Sequence, residues 1–217
     1  MATIRDIQLI PLMTQDEFLE YLEDRSPSMT AIDTFAKTFV ARNSTAKFLA
    51  TLIDAEYVTA QHGFREDFMR HGIYGTKDKW TLLHIAAFED SIEGARVLLD
   101  RGADPNASSG DSYGYSPLHC ASSAEMAALL LDRGARVDFR DRHGATPLFN
   151  AVFDGVVDRM ERLELIKCLV KRGANPKIPR VWPAGNPLAG QSLSMIDAVS
   201  KRRDDYSKRV HSIILSA

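Results

Sequence analysis

Six histidines and two cysteines are the side chains in this 217-residue chain best suited to acid–base, nucleophilic or metal chemistry. A metal centre needs several such groups converging at short, patterned spacings. His62, His71, His143 and His211 have no cysteine or carboxylate partner at such a spacing. Cys120 directly follows His119, but neighbours on a helix point about 100° apart, poor geometry for a thiolate–imidazole pair. His84 and His119 each close a similar four-residue word, Thr81-Leu82-Leu83-His84 and Ser116-Pro117-Leu118-His119, which gives both a structural reason to exist. The glycines stand singly, without the spacing that cradles a phosphate. Asp204-Asp205 and Glu66-Asp67 read as solvated charge. No catalytic residue, cofactor or metal is expected.

Composition narrows the partners. A formal charge of −2 argues against a dominant nucleic-acid surface, which normally carries a basic excess. The one basic cluster, Lys201-Arg202-Arg203 with Lys208 and Arg209, is interrupted by Asp204 and Asp205 and reads as an exposed helix face. No apolar run approaches the ~20 residues that span a bilayer, and residues 1–11 lack the apolar core of a secretory signal. Cys120 and Cys168 are expected to be free thiols in a reducing compartment. The expectation is a cytoplasmic chain, or one translocated into a host cell, that is monomeric when unbound and binds neither nucleic acid nor membrane.

The elements that position these side chains come in copies. Leu98-Leu99-Asp100-Arg101-Gly102-Ala103 returns as Leu130-Leu131-Asp132-Arg133-Gly134-Ala135 and Leu169-Val170-Lys171-Arg172-Gly173-Ala174. Each follows a word of the Thr-Pro-Leu-His type, the third being Thr146-Pro147-Leu148-Phe149. In the middle copy Ser116 is placed to cap a helix and Pro117 to open it. Gly114 and Gly134 suit positive-φ positions in a turn and a helix stop. These words at a period of about 33 residues resemble ankyrin repeats. The resemblance implies an all-α ankyrin-repeat solenoid of helix-turn-helix pairs with hairpin-like fingers, behind a helical N-terminal cap. It covers about residues 76–217. The expected copies are 76–110, 111–140, 141–179 and a degenerate 180–217, preceded by a helical extension over 1–43 and a degenerate repeat or cap over 44–75.

The spacing is irregular. His84 and Leu98 stand 14 apart, His119 and Leu130 only 11, and Phe149 and Leu169 20. The changes are expected at the turn between paired helices, with the long third copy extending one or both helices around residues 154–163. At the N-terminus, Thr14-Gln15-Asp16-Glu17 has the pattern of a capping box opening a helix with Phe18, Leu19 and Leu22. Further helices are expected from Ser28, through Ile32, Phe35 and Phe39, and from Ser44, through Phe48, Leu49, Leu52 and Ile53. Phe68-Met69-Arg70-His71-Gly72-Ile73 loosely matches the Leu-rich word. Residues 191–198 look like a decayed motif start, and residues 206–215 like a closing helix with Val210, Ile213 and Ile214 inward.

The family resemblance further implies that histidines at the positions of His84 and His119 tie repeats together, a bond that Phe149 forgoes. It also implies a concave binding surface flanking the Thr-Pro-Leu-His words. Carried onto this chain, that surface is Lys77, Asp78, Trp80, Phe88 and Glu89, then Ser112, Tyr113, Tyr115, Ser123 and Ala124, then Arg142, His143, Ala145, Phe153 and Asp154. Trp182 is expected in the last finger. Aromatic residues and Arg are the types that dominate interface hot spots. The expected function is non-enzymatic binding of a protein partner, as inhibitor or immunity protein, effector or adaptor. The alternative is an enzyme whose active site lies in residues 1–75, with the repeats docking its substrate.

Overall fold

The computed structural model describes residues 13–25, 32, 35–36, 38–40, 46–56, 58–59, 80–153, 159–181, 192–200 and 204–216. Two rows of helices stack along the chain. The outer row is α2 (Ala46–Asp54), α4 (Ile92–Asp100), α5 (Ala124–Asp132), α7 (Arg159–Lys171) and α9 (Asp205–Leu215). The inner row is α3 (Leu82–Phe88), a single 3-10 turn at Pro117–His119, and α6 (Pro147–Phe153); α8 (Met195–Ser200) pairs with α9. Among the described residues the chain is all-α apart from two short antiparallel strands, β1 (Pro179–Val181) and β2 (Ser192–Ser194), which the sequence patterns had not suggested.

One continuous apolar core runs between the rows, built from the leucines and alanines of the repeated words. Leu82, Ile85 and Ala86 of α3 are buried in it with Ala95 and Leu98 of α4, as are Leu118, Met126 and Leu130 in the second copy and Leu148, Ile166 and Leu169 in the third. Gly134 leaves α5 with φ 91° and donates to the Leu131 carbonyl at 3.1 Å, so the chain turns where a Cβ would be strained. At the far end Asp204 caps α9 through the Ser207 backbone N–H (2.9 Å), and Val210 and Ile214 are buried as expected, with Ile213 packed at the core's edge.

Before the repeats, α1 (Gln15–Arg25) opens with the expected capping box. Thr14 Oγ1 accepts from the Glu17 N–H (3.2 Å), and Glu17 Oε2 accepts from the Thr14 N–H (2.6 Å). Phe18 then meets Phe35, Phe39 and Phe48 in edge-on contacts of 5.2–6.1 Å, a geometry suited to ring quadrupoles. The described N-terminal residues therefore have an aromatic interior.

From α2 to α7, neighbouring outer helices are tied by the Arg of the Arg-Gly-Ala word. Arg133 reaches Asp100 at 2.6 Å and Arg172 reaches Asp132 at 2.7 Å. The first rung is Arg101 on Asp54, bidentate with both contacts at 2.7 Å. These pairs hold Asp54 and Asp132 below the ordinary carboxylate range through their arginine hydrogen bonds. All three are solvent-exposed on the acid side, so they set register more than they add stability.

The first rung also locates a copy that the residue words obscure. Asp54 occupies the place of Asp100, and two residues later Glu56 occupies the place of Gly102. Glu56 has φ 60° and donates its N–H to the Ile53 carbonyl (3.0 Å), as Gly102 does to Leu99 (3.1 Å). Thus α2 ends as a repeat's outer helix ends, with a glutamate in a glycine's position. The alternative word at 68–73 lies outside the described residues, as does Ser44. A side chain at that φ costs roughly 1 kcal/mol. Glu56→Gly is therefore expected to raise stability by about that amount, read as a shift in urea midpoint at unchanged m-value.

Candidate functional site

In the second copy the spacing anomaly falls on a helix, where a change at the turn was expected, and in the third it lengthens a helix, as expected. In the second copy the shortening removes nearly the whole inner helix: where the first and third copies have seven-residue helices, only the 3-10 turn Pro117–His119 remains. In the third copy the added residues lengthen the outer helix: α7 has 13 residues against nine in α4 and α5. Its last residue stands where theirs do, so the extra turn is Arg159–Arg162. A short inner element beside two longer ones leaves a hollow. A cleft open on one side fills that place.

The cleft's wall on the first copy is Trp80 and Phe88, whose rings meet edge-on at 5.8 Å. Tyr115 and the stub Leu118–Ser122 line the middle. On the third copy it is closed by Asn150 and Ala151 of α6 and by Arg162 and Leu165 of α7. Ser122 fixes the floor: its N–H donates to the Ala87 carbonyl (3.2 Å) and its hydroxyl to that of Phe88 (2.6 Å).

His84 and His119 sit in matching hydrogen-bond settings. Nδ1 of each accepts from the N–H of the residue that opens its word, Thr81 (3.2 Å) or Ser116 (3.1 Å). That leaves the proton on Nε2, which donates to the next copy's carbonyl, Tyr115 (2.9 Å) or Ala145 (3.1 Å). Burial pushes both rings down to about 4, so they are neutral at pH 7. Phe149 makes no such bond; its ring packs on Phe153 (4.7 Å) and beneath the Arg180 guanidinium (5.1 Å).

The residues expected on the binding surface divide. Trp80 is only 7% exposed, and its indole N–H donates to Asp111 Oδ2 at 3.3 Å. It is a core residue with one edge on the cleft, not an open anchor, because Asp111 draws it inward. Asp111 also gathers the finger turn by accepting from the Ser109 hydroxyl and the Tyr113 and Gly114 N–H groups, all within 2.9 Å. Ala145 is buried too. Ser123 is occupied structurally: its hydroxyl caps α5 through the Met126 N–H (3.0 Å) and bonds Asp90 (2.6 Å). Tyr113 and Tyr115 stack at 5.1 Å, with His143 edge-on to Tyr113 at 5.6 Å, all three half-buried. Phe88 and Phe153 are half-buried, Ala124 likewise, while Glu89, Ser112 and Arg142 are exposed. Lys77, Asp78, Asp154 and Trp182 lie outside the described residues.

Sequence reasoning missed Asn150 and Arg162. Each is 7% exposed, although an arginine is rarely buried without a partner. Their signal lay in the residue counts: Arg162 belongs to the turn that the third copy gains and the second has no room to match. Neither Cys120 nor Cys168 forms a disulfide, as expected. Among the described residues, no group of His, Cys, Asp and Glu is arranged to hold a metal, and no helix is long and apolar enough to cross a membrane.

Stacked helix pairs joined by histidine-bonded fingers define an ankyrin solenoid. Two family descriptions match the chain, ankyrin repeats in many copies over residues 83–125 and the single ankyrin repeat over 113–142. This is an ankyrin-repeat protein. It is 37% identical over 127 residues to ANK repeat-containing protein nipk-1 of Caenorhabditis elegans, covering 54% of this chain and 21% of that one. It is 39% identical over 82 residues to serine/threonine-protein kinase 12 of Arabidopsis thaliana, covering 36% and 17%. It is 38% identical over 68 residues to ankyrin repeat-containing protein P1E11.10 of Schizosaccharomyces pombe, covering 30% and 32%. The chain thus spans at most about a third of the length of these relatives. Ankyrin repeats are in general protein-interaction modules.

Proposed function

We propose that this chain is a non-enzymatic binding module that seats a protein partner on its concave side, with the cleft between the first and third copies as the centre of the contact. The observation that carries this reading is the cleft itself, which has aromatic walls and opens beside the half-exposed Tyr113–Tyr115 pair. The walls are held by backbone and hydroxyl bonds before any partner arrives, so little ordering entropy is lost on association. The enzyme alternative gains nothing from the described N-terminal residues, which pack an aromatic interior around Phe18.

An inhibitor, an effector and an adaptor would all use this surface. A tight one-to-one complex with the product of a neighbouring gene marks the first, and entry into a host cell the second. The surface is tested with a Phe88→Ala, Tyr115→Ala double variant, both residues being half-buried. A protein retained by the wild-type chain from its native source is expected to be lost or weakened by about tenfold or more, given the weight of aromatic anchors in interfaces. Retention at full strength, with the variant still folded by circular dichroism, would place the contact elsewhere.

A further inference from the structure

We propose that the cleft selects its partner by a carboxylate: Arg162, supported by Asn150, receives an Asp or Glu side chain from an extended segment whose neighbouring apolar side chain fills the pocket between Phe88 and Tyr115. The proposal rests on the binding reading above and names the chemistry of the segment bound. Arg162 is 7% exposed and, among the described residues, has neither a hydrogen bond nor an ion pair. A charge carried on so largely buried a side chain with no bonded partner is costly, and a fold keeps one when an opposite charge arrives to meet it. Asn150, also 7% exposed, lines the same cleft with a buried amide nitrogen that has no hydrogen-bond partner. Two unanswered donors on one wall suit an acceptor with two oxygens.

Charge at the site points the same way. Among the described residues that line the cleft, none is Asp or Glu, and Arg162 is the only charged one, with His119 neutral. Arg162 lies in the first turn of α7, where the helix dipole adds to the positive potential. The remaining walls are Trp80, Phe88, Tyr115, Leu118 and Leu165, which favour an apolar side chain beside the acid. An acidic residue next to a bulky apolar one is thus the segment that satisfies both halves of the cleft.

The test uses the full chain and a display library of random peptides as probe. Recovered peptides are expected to share an Asp or Glu beside an aromatic or branched apolar residue. A synthetic peptide of that consensus should bind one-to-one and weaken by about thirtyfold or more when its acid becomes Asn or Gln, or when the chain carries Arg162→Met. Arg162→Met should melt no lower than wild type, because it removes an unpaired buried charge; an arginine with a purely structural role would lower it. Arg162→Glu should prefer a peptide with Lys in place of the acid. Recovery of no binder, recovery without acid preference, or indifference to Arg162→Met overturns the proposal. So does benzoate binding as tightly as the peptide, which would assign the cleft to a small carboxylate. If acid preference is absent but the Phe88, Tyr115 variant still loses its partner, the carboxylate assignment fails while the binding reading stands.

Discussion

Taking the folded chain from pH 7 to pH 4 is expected to remove about 6 kcal/mol of stability through His84 and His119 alone. Each ring is held near 4 by burial, against an ordinary value of 6.5. Below 6.5 the unfolded chain takes up two protons that the native state refuses, so unfolding gains at each step toward acid. The difference amounts to about 3 kcal/mol per ring by the time both have titrated. That is comparable with the whole stability of many small domains. Asp141 opposes the trend in part: burial raises its carboxyl, so the native state accepts a proton there more readily, and this favours folding as pH falls. Urea midpoints measured from pH 7 to 4 should fall most steeply between 6.5 and 4.5. A His119→Gln variant, weaker at pH 7, should show about half the slope. A midpoint that stays level over that interval would mean the rings are not buried neutral.

Trp80→Ala is expected to cost about 3–5 kcal/mol, because it deletes a large buried ring and leaves Asp111 Oδ2 without its donor. Trp80→Phe should recover the packing but not the hydrogen bond, and so fall between the two. Tyr113→Ala, at a half-buried finger position, should shift the melting temperature by only a few degrees. Thermal melts of the three variants settle the order. If Trp80→Ala melted like wild type, the indole would be an open anchor after all and its place in the core would be wrong.

The repeats were legible because the copies write the same physics into mostly the same residues, with Leu82 in place of Pro and Phe149 in place of His. Leucines at helical spacing, a capping Ser or Thr with Pro, His facing the next finger and Gly at the stop all agree with one another, and the structure places them as that agreement requires. What could not be read was the consequence of departures from the pattern. A loss of three residues does not say whether a turn or a helix is sacrificed; packing decided, and the inner helix of the second copy gave way. Trp80 flanks a repeat word as a surface residue would, but its burial depends on Asp111, 31 residues later and bonded through space. Arg162 carries no local mark at all. Its significance comes from an extra helical turn projecting over a neighbour's vacancy, a relation between two copies and visible in neither. The copy ending at Glu56 was hidden for a simpler reason, since the glycine that would have announced it is absent.

The Asp–Arg rungs along the outer helices are the same joint repeated, from Arg101 on Asp54 to Arg172 on Asp132. A joint of the same kind at these three seams does not care which copy follows which, so duplication or loss of a middle unit would leave the spine intact. The hollow has no such indifference. It exists only where a truncated unit is followed by an overlong one, and shuffling the order would erase it while the rod still assembled. The rungs alone would tolerate a change of length at either end, whereas the hollow ties the central copies to one order.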